Sequence, residues 1–298
     1  MSTQFTLSCC STVDVPYEHL VQRQIPVLFY TYVVDGREYV DDMGRDPQAL
    51  PRFYRFLQEG KLPLTSQINV ATYLEFFEQQ LQKGDLLHIA FTSGQSGSVN
   101  NAYIAAEMLR EKYPERKIQV IDSLCSSSGY GLLVDEAADR RDAGQTLEEV
   151  ARWVLENRNQ VHHQFFSSDM TQFRRTGRVS GAAAMVATVL SICPIMRLND
   201  EGRIIAYDKV RGKKKAVAVT VENMLQHAQG GADYSGRCYL CNSACPEDAR
   251  LLTDAIEEKF PHLRGKIVQC DIGTIIGSHA GKGTVAVFFL GDERPHME

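Results

Sequence analysis

Three short polar segments of this chain carry hydroxyls and glycines where the hydrophobic pattern breaks. They are Leu64-Thr65-Ser66-Gln67, Thr92-Ser93-Gly94-Gln95-Ser96-Gly97-Ser98, and Gly277-Ser278-His279-Ala280-Gly281-Lys282-Gly283. The first two lead into apolar-periodic helices. The third lies between two apolar segments near the C-terminus. Exposed N–H groups and the positive helix end converge at turns of the first kind, so these residues suit an anion. Thr65, Ser66, Ser93 and Ser96 offer hydroxyls, and Gly94 and Gly97 allow the backbone to come close. Neither a metal cage nor a complete nucleophile motif stands beside them. The pattern argues for binding an acidic ligand before it argues for catalysis.

The Ser93 loop supports two readings. It follows the buried strand Leu86–Ala90 and precedes a helix over Val99–Lys112, so it resembles both a phosphate loop and a nucleophile elbow. No Gly-Lys-Ser/Thr follows, which removes the Walker motif. As an elbow, Gly94-Gln95-Ser96-Gly97-Ser98 has Ser where the last Gly belongs. The alternative is an ordinary strand-to-helix turn capped by Ser96 or Ser98. His279 sits among glycines rather than on an apolar helix face, which favours a donor role toward an anion. His88 lies inside a buried strand, and His162 and His163 read as structural or exposed. Arg174-Arg175-Thr176-Gly177-Arg178 ends a helix, where cations complement the dipole; ligand or partner recognition is the other reading. An enzyme reading, an esterase using Ser93 or Ser96 with His279, needs a carboxylate such as Asp122 or Asp271 to orient the imidazole.

With 298 residues the chain has room for two domains, and 32 Lys and Arg against 37 Asp and Glu give a net charge of −5. That balance leaves no concentrated basic face and argues against nucleic acid. The run Lys209-Val210-Arg211-Gly212-Lys213-Lys214-Lys215 reads as a solvated helix start. The N-terminus lacks a secretory pattern, and no apolar run approaches the roughly 20 residues of a membrane span. Stable membrane insertion is therefore not expected, and the eight cysteines are expected to be reduced in the cytoplasm. Cys238, Cys241 and Cys245 have zinc-like spacing, but no nearby His completes a site, so buried thiols are the preferred reading.

Short apolar runs alternate with helical stretches, the pattern of an α/β protein. Strands are expected at Phe5–Ser8, Ile25–Val34, Leu86–Ala90 and Ile118–Ile121, with helices at Pro16–Gln22, Pro47–Leu57, Ile68–Lys83 and Val99–Lys112. Two further helices follow, the second starting at the capping box Thr146-Leu147-Glu148-Glu149. The character changes near residue 161. After it come strand Val161–Phe166, helix Asp169–Thr176, and a hairpin Ile195–Tyr207 turning at Asn199-Asp200-Glu201-Gly202. Helices Ala216–Gln229 and Pro246–Phe260 then alternate with strands Arg237–Cys241, Lys266–Cys270 and Val285–Leu290. We read an N-terminal α/β domain with a parallel sheet over 1–160 and a smaller C-terminal α/β domain over 161–298, with the ligand between them.

Taken together, the ordered motifs Thr65-Ser66-Gln67, Ser93-Gly94-Gln95-Ser96-Gly97-Ser98, Ile121-Asp122-Ser123, Arg175-Thr176-Gly177-Arg178-Val179-Ser180, Lys209-Val210-Arg211-Gly212-Lys213-Lys214 and Ile276-Gly277-Ser278-His279-Ala280-Gly281-Lys282-Gly283 resemble the DegV family of bacterial fatty-acid-binding proteins. The resemblance runs from about Phe5 to Leu290. It implies two α/β domains enclosing a long acyl chain in an apolar tunnel, with no further cofactor. The carboxylate would be held by hydroxyls matching Thr65 and Ser93, with His279 in the hydrogen-bond network. It also implies a partner, a separate ATP-dependent fatty acid kinase that phosphorylates the bound carboxylate for phospholipid synthesis. Arg178 and Arg211 would meet that kinase or the developing phosphate. The chain departs from the family pattern at Cys10, where an acid is usual, at Lys282, where proline is usual, and at Cys193, where lysine is usual. These departures motivate a third reading, a lipid-sensing protein without a kinase.

Overall fold

A computed structural model describes residues 5–180 and 192–296; most of the N-terminal segment read above for a secretory signal lies outside them. The chain runs β1 (Thr6–Cys10), α1 (Tyr17–Gln22), β2 (Val27–Leu28), β3 (Thr31–Val34), β4 (Arg37–Val40), α2 (Ala49–Gln58), β5 (Leu64–Thr65), α3 (Val70–Leu81), β6 (Leu86–Ala90), α4 (Ser98–Lys112), β7 (Ile118–Asp122), α5 (Ser127–Asp142) and α6 (Leu147–Asn157). It continues through β8 (Val161–Ser167), α7 (Thr171–Thr176), β9 (Val179–Ser180), β10 (Ile192–Leu198), β11 (Ile204–Arg211), α8 (Lys213–His227), β12 (Cys238–Asn242), α9 (Pro246–Lys259), β13 (Val268–Asp271), α10 (Thr274–Ala280) and β14 (Thr284–Leu290).

The first half builds a parallel sheet in the order β2-β1-β6-β7. Every residue of β6 is buried, the condition under which a strand reads as a continuous apolar run. A small antiparallel sheet, β4-β3-β5, sits apart from it. The second half forms a seven-stranded mixed sheet, β13-β12-β14-β8-β10-β11-β9. Helix α5 packs against β8, β12 and β14, so the larger hydrophobic core runs from Leu7 and Ile89 through Tyr130 to Phe165 and Phe288. A second core lies under α8 and α9. The mixed α/β class expected from the sequence is the observed one.

Local chemistry explains the element ends. Thr146 and Glu149 form the expected capping box, and Asn69 caps α3 by accepting from Thr72 N at 2.9 Å. At the β10–β11 hairpin, Asn199 Oδ1 accepts from Glu201 N and Arg203 N at 3.2 and 2.9 Å, as an Asx turn requires.

Four expectations are corrected. Ile25–Val34 is two strands, and the first strand, expected over Phe5–Ser8, runs Thr6–Cys10 and so includes Cys9 and Cys10. Thr65 belongs to β5, which pairs with Tyr32 of β3. The Gly277 segment is half helical, because Thr274–Ala280 is α10 and His279 lies in its last turn. Gly277 reads as a loop residue in the sequence, yet it serves packing: a Cβ there would lie 2.8 Å from Phe53 Cε1.

Candidate ligand-binding site

All three polar segments line one cavity of about 470 Å³, within the usual range for a small-molecule pocket. Its polar side is formed by Thr65, Ser66, Ser93, Gly94, Ser96, Gly97 and His279; its apolar side includes Phe165, Phe173, Phe288, Ile204, Ile275 and Ile276. Residues some 200 positions apart thus meet because β5, the β6–α4 turn and α10 converge.

The β6–α4 turn is held from beneath. Asp122, at the end of β7, accepts from Ser93 N at 3.1 Å and Leu124 N at 3.0 Å. Gly94 N donates to Thr92 Oγ1 at 3.1 Å. Ser96 donates its O–H to Ser98 Oγ, which in turn accepts from Ile68 N, both at 3.1 Å. Ser98 is the first residue of α4 and Gly97 its N-cap, so the expected cap by a serine side chain is not formed; Ser96 Oγ instead accepts from Ser98 N at 3.3 Å. Ser93 is exposed on the cavity side of the turn, and its hydroxyl engages none of the described residues.

Helix α10 carries the histidine. At its start, Gly273 N donates to Asp14 Oδ1 at 3.0 Å, and Thr274 N and Oγ1 donate to Asp41 Oδ1 at 3.1 and 2.7 Å. Burial pushes both carboxyls above the usual range. At its end, His279 Nε2 lies 2.9 Å from Thr65 Oγ1, while Nδ1 is buried without a hydrogen-bond partner among the described residues. Burial, reinforced by the nearby Arg178 charge, holds the imidazole down at about 4. His279 is therefore neutral at pH 7, and its pair with Thr65 has one donor to spare. If Thr65 donates to Nε2, the free donor is Nδ1–H; if Nε2–H donates to Thr65, the free donor is the threonine O–H.

Arg178 is exposed, lines the cavity, and donates to Thr176 O. Arg211 does not line the cavity; it is exposed at the far end of β11, roughly 20 Å along the strand from Ile204 at about 3.3 Å per residue. The parts of a hydrolytic relay are not joined among the described residues. His279 is bonded to Thr65 rather than to Ser93 or Ser96, and Asp122 Oδ1 is occupied by two backbone N–H groups.

Several lining residues were not singled out from the sequence. Phe165 and Phe288 lie on neighbouring strands β8 and β14, and their apolar character was read only as core. His163, also in the lining, is a structural residue: its Nε2 accepts from Ser126 N at 3.1 Å and its Nδ1–H donates to Val161 O at 2.9 Å. Gly129 permits this contact, since a Cβ there would fall 2.4 Å from His163 Nε2. The three thiols of the zinc-like motif are buried and divided between two cores, Cys241 in one and Cys238 and Cys245 in the other.

Fold and site together define a class: an α/β protein whose cavity is lined by apolar side chains together with hydroxyls, His279 and the cations Arg178 and Arg203. Residues 10–292 match the family described as uncharacterised protein, DegV family, and the chain belongs to that family. A DegV domain-containing protein of Clostridium perfringens is 35% identical over 294 residues, covering 98% of this chain and 99% of the relative. A DegV family protein from Thermus thermophilus, solved for its fatty acid binding, is 25% identical with a TM-score of 0.82, covering 97% of this chain and 99% of that one. The Streptococcus pneumoniae Fatty Acid Kinase (Fak) B3 protein loaded with linoleic acid has a TM-score of 0.80 at 23% identity, covering 98% and 100% of the two chains.

Proposed function

We propose that this chain binds a long-chain fatty acid and presents its carboxylate to a separate ATP-dependent fatty acid kinase. The observation that carries the reading is the spare donor of the neutral Thr65–His279 pair in a cavity that also presents Phe165, Phe173 and Phe288. A buried carboxylate must be hydrogen-bonded, and neutral donors supply this without enclosing a second charge. Each methylene buried against Phe165, Phe173, Phe288 and their neighbours contributes about 0.8 kcal/mol. Thr65, Ser93 and His279 would hold the carboxylate, with Ser66, Gly94, Ser96 and Gly97 shaping the surrounding turn. The exposed Ser93 and Arg178 leave the acid end accessible to a phosphoryl donor, and Arg211 is a candidate for partner contact only. The reading makes the chain a carrier rather than an enzyme, working in the cytoplasm, with halves divided at 160/161.

Native mass spectrometry of the purified protein, followed by identification of any released acid, tests the reading. One fatty acid per chain is the expected result. Protein that arrives empty and fails to take up added acids would overturn it. Titration with a fluorescent fatty acid should show Ser93→Ala binding at least tenfold more weakly, the value of one lost charge-assisted hydrogen bond. Unchanged affinity removes Ser93 from the head-group contacts.

A further inference from the structure

At the His162–Phe289 end of the β8–β14 pair, on the face opposite the cavity-lining His163 and Phe288, three side chains from separate stretches converge. His162 is the second residue of β8, His227 is the last of α8, and Asp292 follows β14. His162 Nε2 lies 2.9 Å from Asp292 Oδ1 and 2.9 Å from the Asp292 carbonyl oxygen. His227 Nδ1 lies 3.0 and 3.1 Å from the two carboxylate oxygens. One ligand atom from each residue lies within 4.8 Å of the others, and no other such trio of His, Cys, Asp or Glu occurs among the described residues. We propose that His162, His227 and Asp292 form a binding site for one divalent transition-metal ion of the zinc type.

The donor set is chemically suited to that class. Two imidazole nitrogens and a carboxylate oxygen bind zinc, cobalt or nickel, with metal–ligand distances of about 2.0–2.2 Å. Two ligands on a tetrahedron of that size stand about 3.3 Å apart, close to the 2.9–3.1 Å separations already present. A metal ligand must be a neutral imidazole, and His162 is buried. Its ring is fixed between Phe289 and His227, with stacking distances of 5.1 and 5.0 Å. His227 is the movable ligand: it ends a helix and its side chain is 15% exposed, so it can turn off the stack and aim its lone pair at the ion. Asp292 is 59% exposed, which leaves the remaining coordination positions to water.

Without metal, a proton holds each contact: His162 Nε2–H donates to Asp292 and His227 Nδ1–H to the carboxylate. On binding, each ring carries its proton on its other nitrogen, which frees the lone pair that faces the ion. The nearby Arg294 guanidinium, which donates to the neutral Leu124 O and Asn159 Oδ1, keeps its charge and opposes the ion, and Asp292 offsets it. Bound metal would clip the start of β8, the end of α8 and the segment after β14 together. It would leave the cavity lining in place, because His162 and Phe289 point to the face opposite the neighbouring His163 and Phe288 that line it.

Titration of the full-length protein with cobalt(II) under reducing conditions tests the site. The expected result is saturation at one ion per chain, visible d–d bands of nitrogen and oxygen ligation, and a melting temperature that rises with cobalt. Asp292→Asn and His227→Gln should each weaken uptake at least tenfold and abolish the thermal shift, while native mass spectrometry shows the same fatty-acid occupancy as the unaltered protein. Equal uptake by Asp292→Asn, a thiolate-to-cobalt charge-transfer band, or no saturable uptake by the unaltered protein would each overturn the proposal. The last outcome would assign the trio to a proton-held His–Asp–His cluster.

Discussion

Replacing Gly94 by alanine tests how the β6–α4 turn and the β10–β11 hairpin depend on one another. A Cβ on Gly94 would lie 2.5 Å from the Gly202 carbonyl carbon and 2.6 Å from the Glu201 and Gly202 oxygens. The optimal separation of carbon atoms is about 3.5 Å, so the hairpin tip must retreat by about 1 Å. It has no room to rotate instead. Gly202 has φ +72°, and a Cβ on it would meet Thr92 Oγ1 at 2.1 Å and Leu124 O at 3.0 Å. Retreat breaks the bonds that Gly202 O accepts from Gln95 Nε2 at 3.2 Å and Thr92 Oγ1 at 3.4 Å. Overpacking at about 1–3 kcal/mol and two hydrogen bonds at about 0.5–1.5 kcal/mol each sum to a loss of about 2–6 kcal/mol. Because Leu198, Arg203 and Ile204 line the cavity from this hairpin, fatty-acid affinity should fall as well. Urea unfolding monitored by circular dichroism measures the first effect, and fluorescent-acid titration the second. Gly144→Ala is the control: its φ is +87° with nothing within 4 Å, so it bears only the left-handed backbone cost of about 1–2 kcal/mol. If Gly94→Ala loses no more stability than Gly144→Ala, the glycine-to-glycine contact is not what holds the two loops together.

Two further outcomes are expected at the head-group site. Thr65→Val removes the partner of His279 Nε2, costs about 1–3 kcal/mol for the stranded nitrogen, and should weaken fatty-acid binding at least tenfold; unchanged binding would detach Thr65 from the carboxylate. His279 has its folded value depressed to about 4 against about 6.5 unfolded, so the folded state binds fewer protons, and this contribution is present above about 6.5 and lost as pH falls toward 4. His279→Asn should therefore differ from the parent by about 1.4 kcal/mol per pH unit inside that window and by a constant above it; a difference independent of pH refutes the burial argument.

Much of the scaffold was legible because local chemistry announced it. The buried run Leu86–Ala90 is β6 without adjustment, the Thr146 box caps α6, and Asn199-Asp200-Glu201-Gly202 turns the hairpin. The three polar segments were legible as one kind of chemistry, and they do share a cavity. What eluded the sequence depended on distant partners. Helix α10 is seven residues long, too short to show a period, and its Gly277 answers to Phe53. The apolar lining was invisible as lining, since nothing local distinguishes Phe288 facing a cavity from Phe289 in the second core. Arg211 looked equivalent to Arg178 as a cation near a motif, but strand length carries it away from the cavity.

The dispersal of the site along the chain bears on how the protein is made. Thr65 and Ser93 leave the ribosome early, but the histidine that completes the set is residue 279, followed by the strand that supplies Ala286 and Phe288. A growing polypeptide therefore offers hydroxyls with no imidazole and half of an apolar wall. If the proposed function holds, the site is complete only once Phe288 has been made, and a copy that stops before His279 is expected not to bind a fatty acid.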